Sequence, residues 1–92
     1  MKINIYATLR QIVGQKTVEY GIDYPVTVRG LIDEIVQIYP GLRRELIDEN
    51  GEIYQHVHVL VNGRDAPYLE NAYETQVMQD DTVNIFPAVG GG

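Results

Sequence analysis

Residues 27–41 read TVRGLIDEIVQIYPG, and their period decides the architecture. Val28, Leu31, Ile32, Ile35, Val36 and Tyr39 recur at spacings of three and four, which is one apolar stripe of an amphipathic helix. Thr27 is placed to cap it, because its hydroxyl can accept from the free amides of the first turn, and Pro40-Gly41 stops it. Gly30 is the local conflict, since glycine inside a helix costs about 1 kcal/mol against alanine. A helix with a single apolar stripe has to lay it on another element, which the flanking segments must supply.

Upstream, Ile3, Ile5, Ala7 and Leu9 alternate with Asn4, Tyr6 and Thr8, predicting a half-buried strand over residues 2–9. Gly14 offers a turn, and Val18, Tyr20 and Ile22 then alternate with Thr17, Glu19 and Gly21, predicting an antiparallel hairpin partner. Downstream of the helix, LRREL (42–46) reads as a short helical turn and DENGE (48–52) as a turn. Residues 55–61 predict a third strand, with Val57, Val59 and Val61 opposite His56, His58 and Leu60. Asn62-Gly63 is a tight-turn signal, and residues 64–78 predict an irregular crossing with one short strand near Gln76–Met78. Val83 and Ile85 alternate with Asn84 and Phe86 in a last strand that Pro87 ends, because proline cannot donate to a ladder. The sum is one α+β domain over residues 1–87, a mixed sheet with one main helix packed across it, followed by a flexible tail over 88–92. The pattern leaves open whether the first and last strands run parallel.

Composition narrows the function classes. With 13 acidic against 7 basic residues the net charge is −6, which repels nucleic-acid phosphates and anionic lipid and favours a partner with a basic surface. There is no cysteine, hence no disulfide, thiolate metal site or cysteine nucleophile. The first ten residues, MKINIYATLR, are too short and too polar for a signal peptide or a membrane span, so a cytoplasmic protein is expected. His56 and His58 sit two apart on the expected third strand and would share a face, yet a pair lacks a third metal ligand. We therefore expect them to face solvent without a metal. Asp80-Asp81 precedes a strand and reads as turn chemistry. No glycine-rich phosphate cradle and no Ser/His/Asp or Cys/His arrangement occurs, so neither nucleotide binding by those means nor self-sufficient hydrolysis is expected.

The last seven residues are FPAVGGG. At an average glycine usage, three terminal glycines arise by chance roughly 4 times in 10,000, so the segment asks for a reason beyond accident. Glycine lacks Cβ and takes any φ, so such an end can thread a narrow channel and present its carboxylate inside another protein. From Pro87 to Gly92 the chain reaches at most about 17 Å, enough to cross the wall of a partner's pocket. A carboxylate is a poor electrophile at neutral pH and needs activation, most simply adenylation by ATP, before a sulfur or amine nucleophile can attack. Catalysis would then belong to the partner.

MKINIYATLRQIVG, VTVRGLIDEIVQIYPGLRREL, VLVNGRD and DDTVNIFPAVGGG together resemble the MoaD family, the small subunit of molybdopterin synthase, within the ubiquitin-like β-grasp superfamily that also holds the thiamine sulfur carrier ThiS. The resemblance covers nearly the whole chain; APYLENAYETQVMQ (66–79) and DDT (80–82, where DGD is common) depart from it. It implies a β-grasp fold and a sulfur carrier that is not catalytic alone and binds no cofactor or metal of its own. It further implies that a MoeB-like enzyme adenylates Gly92 with ATP and that a sulfur donor protein converts it to a thiocarboxylate. A MoaE-like large subunit then receives it and passes sulfur to a pyranopterin, building the dithiolene that holds molybdenum or tungsten. Gly91 and Gly92 match the family's diglycine, Gly90 stands where a small residue is usual, Phe86 matches the aromatic before the tail that packs on partners, and Tyr6 matches an aromatic of the first strand. Sheet packing is the plainer reading of both aromatics. Three other functions stay open: a ubiquitin-like modifier or carrier for tRNA thiolation, whose end joins lysines or gives up sulfur; a ThiS-like carrier, which the length of the helix-to-strand region disfavours; and an interaction domain with a passive tail.

Overall fold

In the computed structural model, which describes residues 1–21 and 25–87, the elements run β1 (Lys2–Ile5), α1 (Ala7–Val13), β2 (Thr17–Glu19), β3 (Val26–Thr27), α2 (Val28–Ile38), α3 (Arg43–Leu46), β4 (His58–Val61), β5 (Arg64–Asp65), β6 (Gln76–Val77) and β7 (Thr82–Phe86). The stripe of residues 27–41 forms α2 as its period requires. Thr27 Oγ1 accepts from the Gly30 amide at 3.0 Å, satisfying one of the free first-turn donors. Gly30 itself has a packing reason: a Cβ there would sit 2.9 Å from Val26 Cγ2 and 3.3 Å from Thr27 Oγ1. Pro40 opens a 3₁₀ turn, Pro40–Leu42, and α3 follows it directly.

The main sheet has the order β2-β1-β7-β4-β5. β1 and β7 lie side by side in parallel, Ile3 opposite Val83 and Ile5 opposite Ile85, while β2 and β4 flank them antiparallel. That settles the orientation the alternation left open, and it is the β-grasp arrangement. Alternation sends Ile3, Ile5, Val83, Ile85 and Val59 to one face, all 0 or 1% exposed, where they form one core with Leu31, Ile32 and Ile35 of α2. A second, two-stranded sheet pairs β3 with β6, Val26 opposite Val77. The short strand expected near Gln76–Met78 is therefore present, but it covers the start of α2 and lies outside the main sheet.

Four expectations are corrected. The first strand stops at Ile5: Ala7, at φ 55°, redirects the chain into α1, which ends on Gly14 at φ 85°, with the Gly14 amide donating to Arg10 O at 2.8 Å. Leu9 reaches the core from that helix instead of from a strand. The hairpin partner shrinks to Thr17–Glu19, still antiparallel to β1; Ile22, expected at its far end, lies outside the described residues. The third strand starts at His58, because residues 55 and 56 form a turn, so His56 and His58 do not share a strand. His56 instead stacks on Tyr54, ring centroids 4.9 Å apart.

The turns follow their side-chain chemistry. Asn62 (φ 52°) and Gly63 (φ 87°) make the two-residue hairpin joining β4 and β5. Asp48 Oδ1 accepts from the amides of Asn50 and Glu52. Asp81 accepts from the Met78 amide at 2.7 Å and from Asn62 Nδ2 at 2.9 Å, confirming its turn role. On α2, Arg29 bridges two loops, reaching Glu74 at 2.7 Å and Glu52 at 3.0 Å, which holds its guanidinium protonated beyond the usual range.

Candidate functional site

The face of the main sheet turned away from α2 carries the polar half of each alternation, and it holds both aromatics picked out by the sequence. Asn4 and Asn84 stand opposite each other on β1 and β7, and Asn4 Nδ2 donates to Asn84 Oδ1 at 2.8 Å. Thr17 of β2 donates its hydroxyl to Asn4 Oδ1 at 2.9 Å, and the Tyr6 hydroxyl donates to Asn84 Oδ1 at 3.3 Å. The ladder therefore crosses three strands with its donors and acceptors matched, which holds each side chain in one rotamer.

Tyr6 sits just past β1, where its amide donates to Ile85 O at 3.2 Å and extends the parallel pairing by one residue. Its ring lies on the ring of Phe86, centroids 4.4 Å apart and planes 14° from parallel. The Arg10 guanidinium lies 5.8 Å from the Tyr6 ring centroid, near enough for a cation–π attraction, and Arg10 Nε donates to Ile5 O at 3.2 Å. The structure thus brings Tyr6 and Phe86 together as one half-buried platform. Phe86 is the last residue of β7, so the platform stands where the chain leaves the sheet through Pro87. Gly90, Gly91 and Gly92 lie outside the described residues.

Sequence reading missed the residues that fix this platform. The common facing of Asn4, Asn84 and Thr17 follows from alternation once the parallel β1–β7 register is known, so the missing signal was the register. Arg10 was hidden because the expected strand over residues 2–9 took in the first turn of α1 and left residue 10 outside any element. On the other flank of the face, His58 stands opposite Phe86, and its Nδ1 is 2.8 Å from Asp65 Oδ2 across the hairpin. Asp65 Oδ1 is enclosed and finds no hydrogen-bond partner among the described residues. Burial pushes the phenol of Tyr73 upward in pKa, and the Asp65 charge adds to that while Arg29 opposes it.

Chemically, the face offers a rigid anchor. Among the described residues no group of three His, Asp or Glu is gathered closely enough to hold a metal, and no helix is long and apolar enough to cross a membrane.

Comparison with known proteins agrees with the fold. The chain is 37% identical to small archaeal modifier protein 3 of Haloferax volcanii over 92 residues, which is all of this chain and 98% of the relative. The crystal structure of SAMP1 from the same organism superposes with a TM-score of 0.85 at 31% identity, covering 99% of this chain and 97% of that one. A chain of the BexX/CysO complex of Amycolatopsis orientalis matches with a TM-score of 0.80 at 30% identity, covering 99% and 98%. Residues 3–92 match the ThiS family. With its parallel β1–β7 pair, its single long helix and these relatives, the chain belongs to the ThiS family, among the ubiquitin-like β-grasp sulfur carriers and small archaeal modifiers.

Proposed function

We propose that this chain carries sulfur as a thiocarboxylate on Gly92 and serves as the small subunit of a molybdopterin synthase. The carboxylate of Gly92 attacks the α-phosphate of ATP in a MoeB-like enzyme, expelling pyrophosphate. Sulfide from a sulfur donor then displaces AMP, leaving a thioacid. Where the donor protein offers a persulfide, its outer sulfur displaces AMP to give an acyl disulfide, and a second thiol of the donor or of the activating enzyme attacks the donor's sulfur, releasing the thioacid and leaving a disulfide behind. A MoaE-like large subunit receives the loaded end. The chain itself supplies reach, through glycines that fit a narrow channel, and a fixed point from which that reach is measured.

The Tyr6–Phe86 platform carries this reading. A half-buried aromatic pair, cross-braced by Asn84 and Arg10 at the point where the chain leaves the sheet, gives a partner something rigid to grip beside the end it must admit. In this proposal Tyr6 and Phe86 are partner-binding residues, Gly90 and Gly91 thread the channel, and Gly92 reacts. The domain, residues 1–87, is the handle, and ATP is a substrate of the activating enzyme.

A second reading has its own support. The similarity to Haloferax proteins named as small archaeal modifiers favours an end that forms isopeptide bonds with lysines. Delivery of the sulfur to tRNA or to a thiazole precursor would use the same Gly92 chemistry with another acceptor.

The test is the intact mass of the protein from its native cells, with alkylation to trap thioacid. A gain of about 16 Da, oxygen replaced by sulfur, is expected at Gly92. Gly92 joined to lysine Nε atoms in denatured extracts, with no thioacid even after ATP, sulfide and the activating enzyme are added, would replace the first reading by the second. Purification of the thioacid form with a large pterin-binding subunit is the expected result for molybdopterin synthesis.

A further inference from the structure

Beside the platform, a cleft of about 350 Å³ opens at the edge of the main sheet, lined among others by Val57, His58, Asp65, Pro67, Tyr68 and Tyr73. We propose that it receives the side chain of an arginine on the protein partner that binds this face. Three observations carry the assignment. First, the Asp65 carboxylate is only half provided for: Oδ2 has His58 Nδ1 at 2.8 Å, and Oδ1 is shielded from solvent with no donor among the described residues. A shielded carboxylate oxygen without a donor is costly, and a charged N–H donor is the strongest remedy. The Asp65 side chain is still 25% exposed and lines the cleft, so a group entering the cleft meets its carboxylate.

Second, the walls suit a flat delocalised cation. Tyr68 is 78% exposed, unusual for so large a ring, and Tyr73 lies at the same cleft. Guanidinium stacks on tyrosine faces and presents a planar fork to a carboxylate, whereas an ammonium brings only a point charge. The upward push that Asp65 gives the Tyr73 phenol agrees with a negative field reaching these rings. Third, the chain's net charge of −6 attracts a basic surface. His58 faces Phe86 across the β4–β7 ladder, so a partner gripping the platform lies over the cleft as well.

The inference rests on the carrier reading only for which partner brings the arginine. Its test needs no activated Gly92, so failure of one leaves the other standing. Full-length ¹⁵N-labelled chain is titrated with the peptide acetyl-Gly-Arg-Gly-amide and with its neutral isostere, acetyl-Gly-citrulline-Gly-amide. Saturable amide shifts centred on residues 57–73 are expected with the arginine peptide. Both the citrulline peptide and the Asp65→Asn variant should bind at least about tenfold more weakly, the worth of a charge-assisted hydrogen bond. Should Asp65→Asn disturb the fold, Tyr68→Ala removes an exposed wall without touching the core and must weaken binding too. An equal response to citrulline, an undiminished response in both variants, or shifts centred on Asp80 and Asp81 would overturn the proposal.

Discussion

The two faces of one sheet are built from alternate residues of the same strands, and they answer to different demands. On the inner face Ile3, Ile5, Val83 and Ile85 are fully buried against α2 and contain no polar side-chain atom. On the outer face Asn4, Asn84, Tyr6 and Phe86 are half-buried, and hydrogen bonds and one ring stack hold them in place. Water could serve those outer polar groups at no cost to the core. Their mutual pairing therefore adds shape and rigidity to a surface, which is what a docking face needs and a solvated face does not.

Neighbouring residues of β7 offer the sharpest way to break that contrast. Ile85→Ala on the inner face should lose about 2–5 kcal/mol, the range for deleting a buried Ile side chain, and lower the urea midpoint accordingly. Phe86→Ala, one residue on, should lose mainly its stack with Tyr6, worth about 0.5–1.5 kcal/mol, while abolishing docking to the partner proposed to grip the platform. If Phe86→Ala proved as destabilising as Ile85→Ala, the outer platform would be a second core and its docking role would fall. Gly30→Ala probes the tightness of the inner layer. Propensity alone favours alanine by about 1 kcal/mol, but the Cβ would sit 2.9 Å from Val26 Cγ2. We expect the clash to win, with a net loss of about 1–2 kcal/mol in thermal or chemical unfolding, as overpacking commonly costs. Asn84→Ala removes the acceptor that Asn4 and Tyr6 share; on a half-exposed face that should cost about 1 kcal/mol. Crystals or NMR spectra of the variant should then show Tyr6 released from a single rotamer.

How much of this was legible follows from where the signal was concentrated. α2 was readable because eleven residues of stripe, a threonine cap and a proline stop all agree. α1 was not: its seven residues share Leu9 with a period-2 pattern that begins in β1, and four alternating positions fit strand as well as helix. The signals against strand were Leu9, Ile12 and Val13 at helical spacing, ended by Gly14. Two-residue strands such as β3 and β6 carry no period at all and exist through tertiary packing on α2. At the candidate site, Tyr6 and Phe86 could be named from the resemblance, but their stacking depends on the parallel register. The His58–Asp65 pair was within reach: a two-residue Asn62-Gly63 turn places Asp65 opposite Leu60, on the same face as His58. The reading of 55–61 as one continuous strand, which paired His58 with His56, hid it.

The smallest effects belong to residues between the two faces. Arg29→Gln removes both ion pairs that tie α2 to its loops; with an exposed pair of partners the loss should be about 0.5–1 kcal/mol, and it should shrink in 1 M salt. Tyr73 sits at the cleft, and its raised phenol pKa makes a signed prediction. Above the usual phenol value of about 10, unfolded chains release the Tyr73 proton while folded ones keep it, so the folded state binds more protons and stability falls as pH rises. That contribution is fully present below about pH 10 and is lost as pH climbs toward the folded value, at no more than about 1.4 kcal/mol per pH unit for one proton. Tyr73→Phe cannot ionise and should show a shallower alkaline decline in urea midpoints measured between about pH 9 and 11. Identical declines would mean that water reaches the phenol as it does in the unfolded chain. The cleft would then be more open than the enclosed Asp65 oxygen beside it requires.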